Sequence, residues 1–128
     1  MNGDSVQVHV LRDDHPGRRL FSLLGNRWVC PVILALEGGP RRHSELRMMI
    51  GGVSQKMLTQ TLRLLEEDGL VARTIIAGPR RRVDYELTPL GVSFGELHAV
   101  IYRWAVRHEP ELARARAAYA AGARKEAK

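Results

Sequence analysis

Apolar and polar positions alternate with one period in the first half of this chain, with another in a short central stretch, and then return to the first. Between residues 18 and 25, Leu20, Phe21, Leu23 and Leu24 form a helical stripe. A second helix is expected at about 27–36, carrying Trp28, Val32, Ile33, Leu34 and Leu36. Pro31 falls in its first turn, where a missing N–H costs least because those amides have no intrahelical partner. Glu37-Gly38-Gly39-Pro40 stops it. Ser44 reads as the N-cap of a short helix over about 45–49, anchored by Leu46 and Ile50. Gly51-Gly52 then makes a sharp turn of the kind that joins two helices at an angle. Ser54 caps a longer helix over about 55–68, ended by Gly69 in the left-handed conformation.

From Leu70 to Leu87 the period shortens to two. Val71, Arg73 and Ile75 alternate with Ala72, Thr74 and Ile76. After Gly78-Pro79, Val83, Tyr85 and Leu87 alternate with Arg82, Asp84 and Glu86. The pattern predicts a two-stranded hairpin with one buried face and a tip at 78–81. Thr88-Pro89 opens a long final helix, which Pro110 should separate from an Ala-rich tail. The expected organisation is therefore an arm at 1–16, one domain at 17–108, and a helical, frayed basic tail at 109–128. Its fold class is mainly α with a small β-hairpin: a winged helix-turn-helix flanked by N- and C-terminal helices.

Charge narrows the partner. Lys and Arg number 20 against 14 Asp and Glu, a net charge of +6 that favours a polyanion. The distribution is sharper than the total. In the 55–68 helix, Leu58, Thr61, Leu62 and Leu65 mark a core face, while Gln55, Lys56, Thr59, Gln60 and Arg63 occupy the other, with no carboxylate among them. Glu66, Glu67 and Asp68 are confined to its C-terminal end. A helix that enters the major groove of double-stranded DNA needs this separation of acids from phosphates. Arg80, Arg81 and Arg82 concentrate charge at the hairpin tip, where a wing meets the backbone or the minor groove. His43, Ser44 and Ser54, at the starts of the two helices, complete the candidate DNA-binding set.

The last helix points to a second chain. Leu90, Phe94, Leu97, Ile101 and Trp104 recur at spacings of 4, 3, 4 and 3, a coiled-coil type of seam. With Leu20, Phe21 and Leu24 they are the expected dimerisation surface, and packing within one chain is the competing reading. Phe21, Trp28, Tyr102 and Trp104 admit two readings as well, core packing or a pocket for a small-molecule effector. Cys30 is the only cysteine, so no intrachain disulfide forms, and it reads as a buried structural thiol. The five histidines, His9, His15, His43, His98 and His108, lack metal-site spacing. No nucleophile with a base, carboxylate pair or phosphate loop argues for an enzyme, and no cofactor is expected. The absence of a leader-like start and of a run of about 20 apolar residues argues for a cytoplasmic location without a membrane partner.

The stretch 25–104 resembles the HxlR-type family of bacterial regulators, winged-helix relatives of the MarR group. Gly25-Asn26-Arg27-Trp28 and the 39–46 segment GPRRHSEL each match a family segment. More specific are Ile50, Gly52, Val53, Ser54, Lys56, Met57, Leu58 and Thr59, followed by Leu62, Leu65, Glu66, Asp68, Gly69, Leu70, Val71 and Arg73. Arg82, Val83, Tyr85, Leu87 and Thr88, with Gly91, match the return of the wing. The resemblance implies a homodimer built from the terminal helices, with a recognition helix and a wing on each half. Two departures stand out. Some family members sense oxidants through a Cys-Pro before the first helix, whereas this chain has His15-Pro16, which excludes thiol sensing there. His43 stands where a phenylalanine is usual. The expected function is sequence-specific transcriptional regulation on a pseudo-palindromic operator, responsive to a small-molecule or stress signal. The rival functions are a nonspecific architectural nucleic-acid-binding protein and a protein-interaction module.

Overall fold

The computed structural model describes residues 17–127; the arm expected at 1–16 lies outside the described residues. Among the described residues, five helices and one hairpin follow in order: α1 (Gly17–Gly25), α2 (Val29–Leu36), α3 (His43–Met49), α4 (Gln55–Glu67), β1 (Val71–Ile76), β2 (Arg82–Leu87) and α5 (Pro89–Ala127). The chain divides into two compact units at Gly95/Glu96. This is the winged-helix order that the sequence pattern predicts.

The core of the first unit gathers Val29, Val32, Ile33 and Leu36 from α2 and Leu46 from α3. Leu58, Leu62 and Leu65 join from α4, with Leu70, Val71 and Phe94. Helix α2 begins at Val29, two residues later than expected, because the Asn26 carboxamide oxygen accepts the Trp28 amide at 2.9 Å and holds the entry in a turn. Pro31 is its third residue, inside the first turn. Helix α3 begins earlier than expected, and Arg42 rather than Ser44 is its N-cap. The reason is Glu45, whose carboxylate accepts the Arg42 amide at 3.0 Å and closes the first turn one residue-pair upstream. That same backbone hydrogen bond, with the Arg42 and Arg41 guanidinium charges, holds the Glu45 carboxyl below its usual range.

Gly52 turns the chain between α3 and α4 at φ 85°, a conformation that any side chain would strain. Helix α4 then starts where expected, with the Ser54 hydroxyl accepting the Met57 amide at 3.1 Å, and Gly69 follows it at φ 72°. The hairpin pairs Val71 with Leu87 through Ile76 with Arg82. Arg41 adds a bridge that the sequence pattern does not announce, exchanging backbone hydrogen bonds with Tyr85 at 2.9 and 2.8 Å. The expectation of one buried hairpin face is corrected. Val71 is buried at the base, but Ile75 and Ile76 are 48% and 36% exposed. A two-stranded ribbon meets the core only where it leaves it.

Helix α5 runs without a break through Pro110, correcting the separation expected there. Proline removes one backbone hydrogen bond, at a cost of about 3 kcal/mol. The strongly helix-forming Ala, Glu and Arg residues on its C-terminal side carry the helix onward.

Candidate nucleic-acid interface

Helix α4 is anchored on one side and open on the other. Leu58, Thr61, Leu62 and Leu65 are buried, and the Thr61 hydroxyl donates to the Met57 carbonyl at 2.8 Å, so even the polar member of this face is satisfied. Gln55, Lys56, Thr59, Gln60 and Arg63 are all exposed, as are Ser44 and Ser54. Ser54 has a structural duty as the cap; Ser44 is exposed in the first turn of α3.

A hydrogen-bond relay ties the two helices together at this surface. The Thr59 hydroxyl donates to the Gln55 carbonyl at 2.8 Å and lies 3.0 Å from His43 Nε2. Its single proton is already committed, so Thr59 accepts and the His43 ring donates from Nε2. His43 is thereby pinned across the turn onto α4. The phenylalanine usual at this position cannot make that link.

The acids at the end of α4 are partly answered within the protein. Arg19 of α1 donates to Asp68 at 2.8 Å and lies 3.5 Å from Glu67. Such exposed pairs add little stability, but they offset charge that would oppose a polyanion. On the wing, Arg80 and Arg81 are exposed at the tip, whereas Arg82 lies 3.4 Å from the Asp84 carboxylate. The tip's free charge thus resides mainly in Arg80 and Arg81.

The residues expected at a dimer surface divide. Phe94 is 6% exposed and belongs to the core of its own chain, and Leu24 packs partly against that core. Phe94 therefore completes the protomer rather than presenting a knob. Leu20, Phe21, Leu90, Leu97, Ile101 and Trp104 are exposed large apolar side chains. Trp104 stacks on His108 one turn along, with ring centroids 4.4 Å apart. Of the four aromatics expected near an effector pocket, Trp28 lines an apolar groove of about 520 Å³ with Pro31, Leu34, Ala35, Met49, Ile50 and Gly51. Phe21, Tyr102 and Trp104 are not among its walls; all three are exposed. Cys30 is half-buried, and burial first, then the nearby Glu37 carboxylate, pushes its thiol pKa up. Among the described residues no three His, Cys, Asp or Glu side chains lie close enough to hold a metal, and no single helix is long and apolar enough to cross a membrane.

Arg73 and Tyr85 were absent from the expected interface, although both face the open side of α4 in a shared cleft with Thr59 and Arg63. The alternation along β1 was the available signal, but it does not say which strand face the helix meets.

A turn-linked helix pair, an exposed polar face on the second helix and a basic hairpin beside it define a winged helix-turn-helix transcription regulator. Residues 23–112 match the HxlR-like helix-turn-helix family, and the chain belongs to it. It is 39% identical over 104 residues to the HTH-type transcriptional regulator YtfH of Escherichia coli K12, covering 81% of this chain and 82% of that protein. The solved structure of YtfH from Salmonella typhimurium is 34% identical and superposes with a TM-score of 0.73, covering 84% of this chain and 96% of that one. YodB of Bacillus subtilis, solved in reduced form, is 35% identical with a TM-score of 0.64 over 69% of this chain and 86% of its own. Both YtfH and YodB carry the name of HTH-type transcriptional regulators.

Proposed function

We propose that this protein is a sequence-specific, DNA-binding regulator that acts in the cytoplasm as a homodimer on a pseudo-palindromic operator. The observation that carries the reading is the exposed polar face of α4 from Gln55 to Arg63, which carries no acid and lies beside the basic hairpin, the helix's acids being confined to its C-terminal end. Gln55, Lys56, Thr59 and Gln60 read base edges and adjacent phosphates, Arg63 and His43 hold the backbone, and Arg80 to Arg82 engage backbone or minor groove. Leu90, Leu97, Ile101 and Trp104, exposed along α5, supply the apolar surface for the partner copy, together with Leu20 and Phe21 of α1. Two recognition helices then meet major grooves about 34 Å apart.

The neighbours named for redox behaviour, such as the redox regulator HypR, share the fold at 26% identity and a TM-score of 0.66. In this chain a raised thiol pKa makes Cys30 a poor nucleophile at neutral pH. A small-molecule signal suits it better, and the groove beside Trp28 has the size and apolar lining for one.

Selection of bound duplexes from a random pool tests the proposal. A recovered motif with two-fold symmetry and half-sites one helical turn apart supports it. Recovery of no motif, with affinities for all duplexes within about tenfold, establishes instead a nonspecific architectural protein. No affinity for duplex DNA at any salt concentration leaves a protein-interaction module.

A further inference from the structure

Between α4 and the hairpin lies a cleft of about 330 Å³ walled by Thr59, Leu62, Arg63, Glu66, Arg73 and Tyr85. Its two cations come from different elements. Arg63 projects from the helix, and Arg73 is the third residue of β1, in register with Tyr85. Both arginines are exposed, and neither takes part in the ion pairs formed among the described residues. Glu66 shares the cleft without pairing to either. Glu66 stands three residues after Arg63 on the same wall, one carboxylate against two guanidinium groups.

Two guanidinium groups that line one cleft and lack a carboxylate partner present the planar, forked donors that suit a phosphate. We infer that Arg63 and Arg73 together hold a single backbone phosphate of the duplex where the recognition helix meets the wing. This rests on the DNA-binding reading and adds to it a residue that belongs neither to the polar face of α4 nor to the wing tip. A phosphate gripped from two elements is fixed in two directions, so it sets the depth and roll of α4 in the groove. The tip arginines cannot do this, because they stand on a ribbon whose outer half is exposed.

The test is titration of the full chain with a labelled random-sequence duplex across a salt series from about 50 to 200 mM. Each phosphate neutralised contributes about 0.9 to the slope of log affinity against log salt. Arg73→Gln should weaken binding, and the double variant Arg63→Gln/Arg73→Gln should lower the slope by about 0.9. Two independent phosphate contacts would lower it by about 1.8 and overturn the shared grip. Arg73→Lys keeps a cation and should hold the slope near that of the unaltered protein while still losing affinity, because the fork is gone. Arg73→Met, similar in its stem, replaces the glutamine variant if that one melts early, and Arg47→Gln, which does not line the cleft, is the control for loss of one exposed cation and should leave the Arg63/Arg73 effect unchanged. If the unaltered protein binds duplex and both Arg73→Gln and Arg73→Met match it in affinity and slope, the inference fails and the DNA-binding reading stands. If the unaltered protein does not bind duplex, both fail.

Discussion

Helix α4 and the hairpin both present cations to solvent, on very different foundations. Helix α4 buries four side chains, has a satisfied cap at its N-terminus and is tied to α3 through the His43–Thr59 hydrogen bond. The hairpin buries only Val71 at its base, keeps Ile75 and Ile76 exposed, and carries Arg80, Arg81 and Arg82 at the far end. A side chain can discriminate bases only if its backbone is held to within a fraction of a hydrogen-bond length. A long-range charge asks for no such placement. On the proposed function, the difference assigns specificity to α4 and general attraction to the wing.

The largest effect separates the two foundations. Leu62→Ala empties a fully enclosed site and should destabilise the fold by about 2–5 kcal/mol in chemical denaturation. Ile75→Thr, on the exposed outer wing, should stay within about 0.5 kcal/mol. Equal costs would mean that the wing is built into the core after all. Next, Gln60→Ala should lose about 1–3 kcal/mol on the selected duplex and far less on random duplex in anisotropy titrations. Ser54→Ala removes the acceptor for the Met57 amide and should cost about 1 kcal/mol of stability, read as a lower denaturation midpoint. The smallest effect belongs to the tip. Arg81→Gln should weaken selected and random duplexes alike, with the slope reduced by about 0.9, so that the loss is about three- to fourfold greater at about 50 mM than at about 200 mM salt.

Legibility followed the same division. The core face of α4, its cap and its terminating glycine are local properties, and the side-chain period with Ser54 and Gly69 located them to within a residue. The polar face was readable for the same reason, because burial of Leu58, Leu62 and Leu65 fixes which side remains outside. What depended on contacts distant in sequence was not readable. The bridge between Arg41 and Tyr85 exists only once the hairpin folds back beside the 39–42 segment. Arg73 looked like one member of an alternating strand until α4 and β1 were seen to share a cleft. Phe94 fitted a seam by spacing, yet the first turns of α5 close over the core and take it inward. Pro110 carried a strong local signal for a break that the helix does not obey.

The most direct measurement is the ratio of affinities for the selected duplex and a scrambled duplex of equal length, in the unaltered protein, in Gln55→Ala/Gln60→Ala and in Arg80→Gln/Arg81→Gln. The account predicts a ratio of about a thousand or more for the unaltered protein. It also predicts a collapse of at least tenfold in that ratio for the helix variant, and a ratio essentially preserved in the wing variant despite weaker binding to both duplexes. A wing variant that loses discrimination while the helix variant keeps it would contradict the assignment.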